Sequence, residues 1–171
     1  MLGPSSEQVA EKSEAHVVAV CISEGGVPKQ PQDRVRVTTS GLEGDAQEHA
    51  KHRKPTRAVS LFDEEILLQL REEGYDVSPG SIGENITLRN VHVQSLPPGT
   101  ILEIGEVRIR LEEPRKPCFV LDVIDERLKD VLVGRCGYMG SVLREGEIRP
   151  GMPVTVNSSA ERLVGDDHSA R

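Results

Sequence analysis

The stretch at residues 100–111, TILEIGEVRIRL, constrains this chain more than any other. Two apolar-rich runs flank Gly105-Glu106, the pattern of a tight β-hairpin. In the second arm Val107, Ile109 and Leu111 alternate with Arg108 and Arg110, so one face points to a core and the other to water. Similar runs recur along the chain. Residues 16–23 (HVVAVCIS) are β-branched and suit a buried strand, and residues 34–39 (RVRVTT) alternate. Residues 57–62, 85–88, 138–143 and 153–156 complete the set of expected strands. Two helices break the pattern. Asp63 is placed to N-cap a helix that buries Ile66, Leu67 and Leu70 and stops at Gly74. After Cys118, residues Leu121, Ile124, Leu128 and Val131 share one helical face up to Gly134. About eight short strands with two helices predict a strand-rich mixed α/β fold, a closed or partly open β-barrel-like body with helices at its rim.

The 171 residues suit one domain, expected at residues 16–157 between polar tails, 1–15 and 158–171, that read as disordered. No apolar run approaches the ~20 residues of a membrane span. The N-terminal stretch has no apolar region of a secretory signal. With a formal net charge of −7, the chain lacks the basic balance of a dedicated nucleic-acid binder. Two Tyr, two Phe and no Trp leave no base-stacking platform. Three cysteines without CxxC spacing read as reduced thiols of a cytoplasmic protein, not as a disulfide framework.

The chemistry concentrates at Cys118, in Pro114-Arg115-Lys116-Pro117-Cys118. Prolines fix its approach, Arg115 and Lys116 add positive charge, and a helix is expected to start just after it. Cations and a helix N-terminus both favour thiolate, which is the nucleophile and the soft metal ligand. The plain alternative is a buried structural cysteine. Cys21 lies inside an apolar strand and reads as a small core residue, whereas Cys136, in Gly134-Arg135-Cys136-Gly137, reads as a loop thiol, the alternative being a resolving cysteine that nothing in the sequence supports. The run Lys51-His52-Arg53-Lys54-Pro55-Thr56-Arg57 is a second candidate, either an anion-binding loop or a solvated charged one. Gly44-Asp45 with His49 and His52 is too sparse a ligand set to indicate zinc. In Pro79-Gly80-Ser81-Ile82-Gly83-Glu84-Asn85 two glycines permit a tight path whose N–H groups face an anion, or a simple turn. The Lys-Ser/Thr ending of a P-loop is missing.

Taken in order, these segments resemble the MOSC domain, the C-terminal domain of molybdenum cofactor sulfurases. The matching pieces are Gly41-Leu42-Glu43-Gly44-Asp45, Arg57-Ala58-Val59-Ser60-Leu61 and Pro79-Gly80-Ser81-Ile82-Gly83-Glu84-Asn85. They continue with Pro114-Arg115-Lys116-Pro117-Cys118, Gly137-Tyr138-Met139-Gly140 and Gly146-Glu147-Ile148-Arg149-Pro150-Gly151. The resemblance implies a barrel-like fold that binds the molybdenum cofactor, a pterin dithiolene with a terminal phosphate (molybdopterin). It implies that Cys118 ligates molybdenum or carries sulfur. It places Arg57 and His52 near the cofactor, and the cations Lys54, Arg115 and Lys116 with Gly83, Glu84 and Asn85 of the glycine loop complete the expected cofactor-binding set. At His52-Arg53-Lys54-Pro55 the chain lacks both glycines of the His-Gly-Gly-Pro segment common in longer relatives.

Three functions follow as expectations. The first is carriage of cofactor or sulfur on Cys118 to a partner enzyme. The second is a small molybdoenzyme that reduces N-hydroxylated compounds with electrons from separate proteins. The third is an interaction module that has lost the cofactor. No lysine stands out as a pyridoxal phosphate Schiff base. Partners are thus the cofactor and a molybdoenzyme or electron-transfer protein, with no nucleic acid and no membrane.

Overall fold

The computed structural model describes residues 14–46 and 54–158. Among them are eleven strands: β1 His16–Ile22, β2 Gln30–Gln32, β3 Val35–Thr38, β4 Gly41–Leu42, β5 Val59–Asp63, β6 Ile86–Arg89, β7 Ile101–Ile104, β8 Val107–Pro114, β9 Tyr138–Arg144, β10 Gly146–Ile148 and β11 Thr155–Asn157. Two α-helices accompany them, α1 Glu64–Glu72 and α2 Leu128–Val131. Eight strands form one sheet in the order β11-β7-β8-β9-β5-β6-β1-β2, and β10-β3-β4 form a second. Neither sheet closes on itself, so the partly open form of the expected body is the one adopted. No helix among the described residues is long and apolar enough to cross a membrane.

The predicted hairpin is β7 and β8, with Ile104 opposite Val107 and Gly105 at φ +59 in the turn. Its alternating residues Val107, Ile109 and Leu111 are fully buried. Successive residues of β5 divide the interior. Leu61 enters a core shared with Val35 and Val37 of the small sheet, while Phe62 enters a second core under α1. That alternation makes the large sheet the middle of three layers. Burying each such Leu, Ile or Phe contributes roughly 1.5–3 kcal/mol.

Helix α1 buries Ile66, Leu67 and Leu70 as its spacing predicts. It ends in a Schellman motif at Gly74 (φ +100), where Gly74 N–H donates to Arg71 and Tyr75 N–H to Leu70. Asp63 occupies the N-cap, but its side chain does not cap the helix. Its buried carboxylate instead accepts N–H bonds from Val93 and Gln94 at 2.9 and 3.1 Å.

Other expectations need correction. The single helix predicted after Cys118 is two short pieces, a five-residue 3-10 turn at Phe119–Val123 and the four-residue α2. Asp125 separates them, because its carboxylate accepts the Arg127 N–H at 2.8 Å and offers the backbone a turn in place of a continued helix. Strands β2, β4 and β10 escape the sequence pattern. They are two or three residues long, and β2 (Gln-Pro-Gln) is a polar edge strand of a kind that tolerates proline. The last strand begins at Thr155, with only a bridge between His16 and Pro153 before it.

Candidate functional site

The end of β8 organises the site. Pro114 pairs with Tyr138 of β9, and just beyond them the Arg115 N–H donates to the Gly137 carbonyl at 2.9 Å. Gly137 has φ +81, and a Cβ there would lie 2.0 Å from the Leu61 carbonyl oxygen, so the approach requires glycine. The chain then runs through Lys116 and Pro117 to Cys118, which is exposed, while Cys21 and Cys136 are buried. The helix start expected at Cys118 is only the short 3-10 turn, so no α-helix terminus acts on the thiol and the neighbouring cations remain.

The structure brings three of the sequence motifs to this end of the sheet. Arg115 Nη2 donates to the Ile82 carbonyl at 2.7 Å, tying the cysteine segment to the loop at residues 80–85. The same group crowds Gly83, where an added Cβ would come within 3.1 Å of Arg115 Nη2 and 2.8 Å of Val27 Cγ1. Arg57, at the end of a 3-10 turn, reaches Glu113 of β8 at 3.7 Å and is half exposed. Lys54 and Lys116 are exposed. His52 and His49 lie outside the described residues.

The loop at residues 80–85 is welded from within. Gly83 and Glu84 are buried, and Glu84 is fully so. One Glu84 oxygen accepts from Thr87 Oγ1 at 3.1 Å, whereas Oε1 has no hydrogen-bond partner. Burial pushes the Glu84 carboxyl above its ordinary pKa, partly opposed by the backbone N–H groups of Glu84 and Gly80 and by the Arg115 charge. Amides that looked available to an external anion are spent on the chain's own carbonyls: the N–H groups of Ser81, Gly83 and Asn85 donate to Ser78, Gly80 and Ser60. Asn85 is committed on both sides of its amide: Oδ1 accepts from Ser60 N–H at 3.1 Å, and Nδ2 donates to Cys21 O at 3.2 Å and Asp45 Oδ2 at 3.1 Å.

Behind this loop is an ion pair absent from the sequence reading. Lys29 Nζ donates to both oxygens of Asp45 at 2.7 and 2.8 Å, and Asp45 also accepts Ser23 N–H at 2.9 Å. The Asp45 side chain is 2% exposed, so it anchors the backbone of β1 and the Asn85 amide. No local pattern marks a pair formed between residues 16 positions apart. Cys21 packs beside them, and burial first, then the Glu84 charge, pushes its thiol up to about 12 despite Lys29. Cys136 lies in the loop between α2 and β9, as its sequence suggests, but there it is fully buried with Leu121, Leu128 and Leu132. Its thiol is pushed up by burial and by the charges of Cys118 and Glu84, against a lowering by Arg115.

Arg115 Nη1 is also buried without a partner. Of the four such atoms among the described residues, these two, one on an acid and one on a base, belong to the loop and the cysteine segment that Arg115 joins. No group of three or more His, Cys, Asp or Glu among the described residues is arranged to hold a metal. A cleft of about 630 Å³ lined by His16, Glu64, Arg89 and Gly151 includes neither Cys118 nor the loop at residues 80–85.

Comparison with known proteins shows the family and the fold. Residues 48–155 match the family described as the MOSC domain. The chain is 27% identical to the uncharacterized protein YflK of Bacillus subtilis over 148 residues, 82% of this chain and 67% of that protein. It is 29% identical to protein YiiM of Escherichia coli over 151 residues, again 82% and 67% of the two. The crystal structure of that YiiM superimposes with a TM-score of 0.65 over 84% of this chain and 70% of the other, at 24% identity. The crystal structure of the YuaD protein from Bacillus subtilis shares the fold at a TM-score of 0.71 and 16% identity, over 84% of this chain and 96% of its own.

Proposed function

The chain belongs to the MOSC domain family, and from that premise we propose that it binds the molybdenum cofactor and passes cofactor or sulfur on Cys118 to a partner enzyme. One observation carries the reading: of the three cysteines only Cys118 is exposed, at the rim where Arg57, Arg115 and the loop at residues 80–85 converge. A soft thiol ligand suits molybdenum. A dithiolene cofactor brings most of the metal's ligands with it, so a single protein sulfur completes its attachment.

In this reading Cys118 supplies the one protein sulfur. Lys116, Lys54 and Arg57 are exposed and offer charge-assisted hydrogen bonds to an anionic cofactor. Arg115 holds the cysteine segment against the Ile82 carbonyl, and its Nη1 is a buried donor without a partner. Gly83, Glu84 and Asn85 shape the floor from beneath and keep it fixed. When bound, the cofactor supplies a metal able to exchange oxygen or sulfur with a two-electron change.

Transit is favoured over a sealed reaction chamber by what surrounds Cys118. Phe119, Val123 and Val133 are 75%, 77% and 70% exposed and follow it along the chain, an apolar flank suited to transient contact with a partner. Protein purified from a cofactor-competent host tests the proposal by metal and pterin analysis. Molybdenum and pterin in near-equal amounts, released to an apo-molybdoenzyme on mixing, is the expected result. Protein free of both overturns it.

A further inference from the structure

We propose that Cys118 and Cys136 form a redox pair, in which Cys118 takes the first oxidation and Cys136 resolves it as an intramolecular disulfide. The pairing does not depend on cofactor binding. Three observations place the residues together. The Arg115 N–H is bonded to the Gly137 carbonyl at 2.9 Å, one residue after Cys136 and three before Cys118. Three residues of extended chain span at most about 10 Å, so Cys118 cannot stray far from that joint. Leu121, whose N–H bonds to the Cys118 carbonyl at 3.1 Å, packs in the same apolar cluster as Cys136. The charge on Cys118 also acts on the Cys136 thiol. The charges acting on Cys21 are instead those of Glu84 and Lys29.

Access divides the roles. An exposed thiol meets the oxidant first, and a buried one is spared until its surroundings open. The segment between the two cysteines holds only a five-residue 3-10 turn and a four-residue helix, so few helical hydrogen bonds resist the opening in which Leu121, Leu128 and Leu132 must also shift. Arg115 lies close enough to Cys136 to favour its thiolate once the apolar cover loosens.

With hydrogen peroxide as oxidant the steps balance. The Cys118 thiol attacks one peroxide oxygen, the O–O bond breaks, and Cys118 becomes a sulfenic acid with release of water. Cys136 Sγ then attacks the Cys118 sulfur, the S–O bond breaks, and the departing hydroxide leaves as a second water with the Cys136 proton. Two thiols are oxidised and one peroxide is reduced. The disulfide removes the free thiol from Cys118 and so withdraws it from any ligand or sulfur it would otherwise take.

The test uses the full chain with one equivalent of peroxide, followed by alkylation, unreduced digestion and mass spectrometry. The expected product is a peptide linking Cys118 to Cys136, with Cys21 still alkylated. Cys136→Ser, checked for folding by thermal melting, is expected to leave a Cys118 sulfenic acid that dimedone traps at least fivefold more than in wild type. Wild-type protein that yields Cys118 sulfenic or sulfinic acid with no linked peptide, or a link between two chains, overturns the proposal whatever the variant does.

Discussion

The loop at residues 80–85 and the segment at residues 115–136 meet at one end of β8 and are built in opposite ways. The loop is buried, its Asn85 amide spent on Ser60, Cys21 and Asp45, and its Glu84 enclosed. The segment has short helical turns, surface ion pairs such as Lys129–Asp122, and exposed apolar side chains. Arg115 joins the two. The difference separates two tasks. The loop fixes position at the expense of chemical availability, and the segment, anchored by Leu121, Leu128 and Leu132, presents a reactive atom at the surface.

The contrast is broken most severely at Gly80. Its φ is +91, and an added Cβ would lie 2.1 Å from the Lys29 carbonyl oxygen. Gly80→Ala should cost more than ~3 kcal/mol, enough to unfold a marginal domain, as read by chemical denaturation. Asn85→Ala comes next. It strands buried Ser60, Cys21 and Asp45 groups, with an expected loss of about 2–4 kcal/mol in the same measurement. A loss below ~1 kcal/mol would show that the loop is not the rigid partner.

Glu84 sharpens the contrast through pH. Its folded pKa is raised, chiefly by burial, above the ordinary value of 4.5, so the folded state holds the proton more tightly than the unfolded chain. Stability from this group is therefore fully present below about pH 4.5 and declines as pH rises towards the folded pKa. Glu84→Gln, which cannot ionise, should gain stability relative to wild type as pH rises through that window. A constant difference across pH would mean that the carboxyl is not desolvated. The smallest effect is expected in the other region: Cys118→Ser should change stability by no more than ~0.5 kcal/mol, because the side chain is exposed and makes no packing contribution.

Legibility in the sequence divides along the same line. The β7–β8 hairpin, α1 and the buried strands were readable because their side chains repeat at periods of two or 3.6, and burial follows period directly. Convergence of Arg57, the loop at residues 80–85 and Cys118 was readable only as an ordered set of motifs, since none announces the others. The break after Cys118 was not readable from the apolar face of Leu121, Ile124 and Leu128. It depends on Asp125 turning its carboxylate onto Arg127 N–H, a local choice that periodicity ignores. The Lys29–Asp45 pair and the inward turn of Arg115 belong to the tertiary structure alone. They also change the account of the site, because cations and amides that looked free for a ligand are partly occupied by the protein itself.

The most direct measurement compares molybdenum and pterin content in wild type, Cys118→Ser, Cys21→Ser and Cys136→Ser, purified in parallel from one cofactor-competent host and confirmed folded. The account predicts that molybdenum falls at least tenfold in Cys118→Ser while the reduced, folded Cys21→Ser and Cys136→Ser proteins retain it. Equal retention in Cys118→Ser would contradict it.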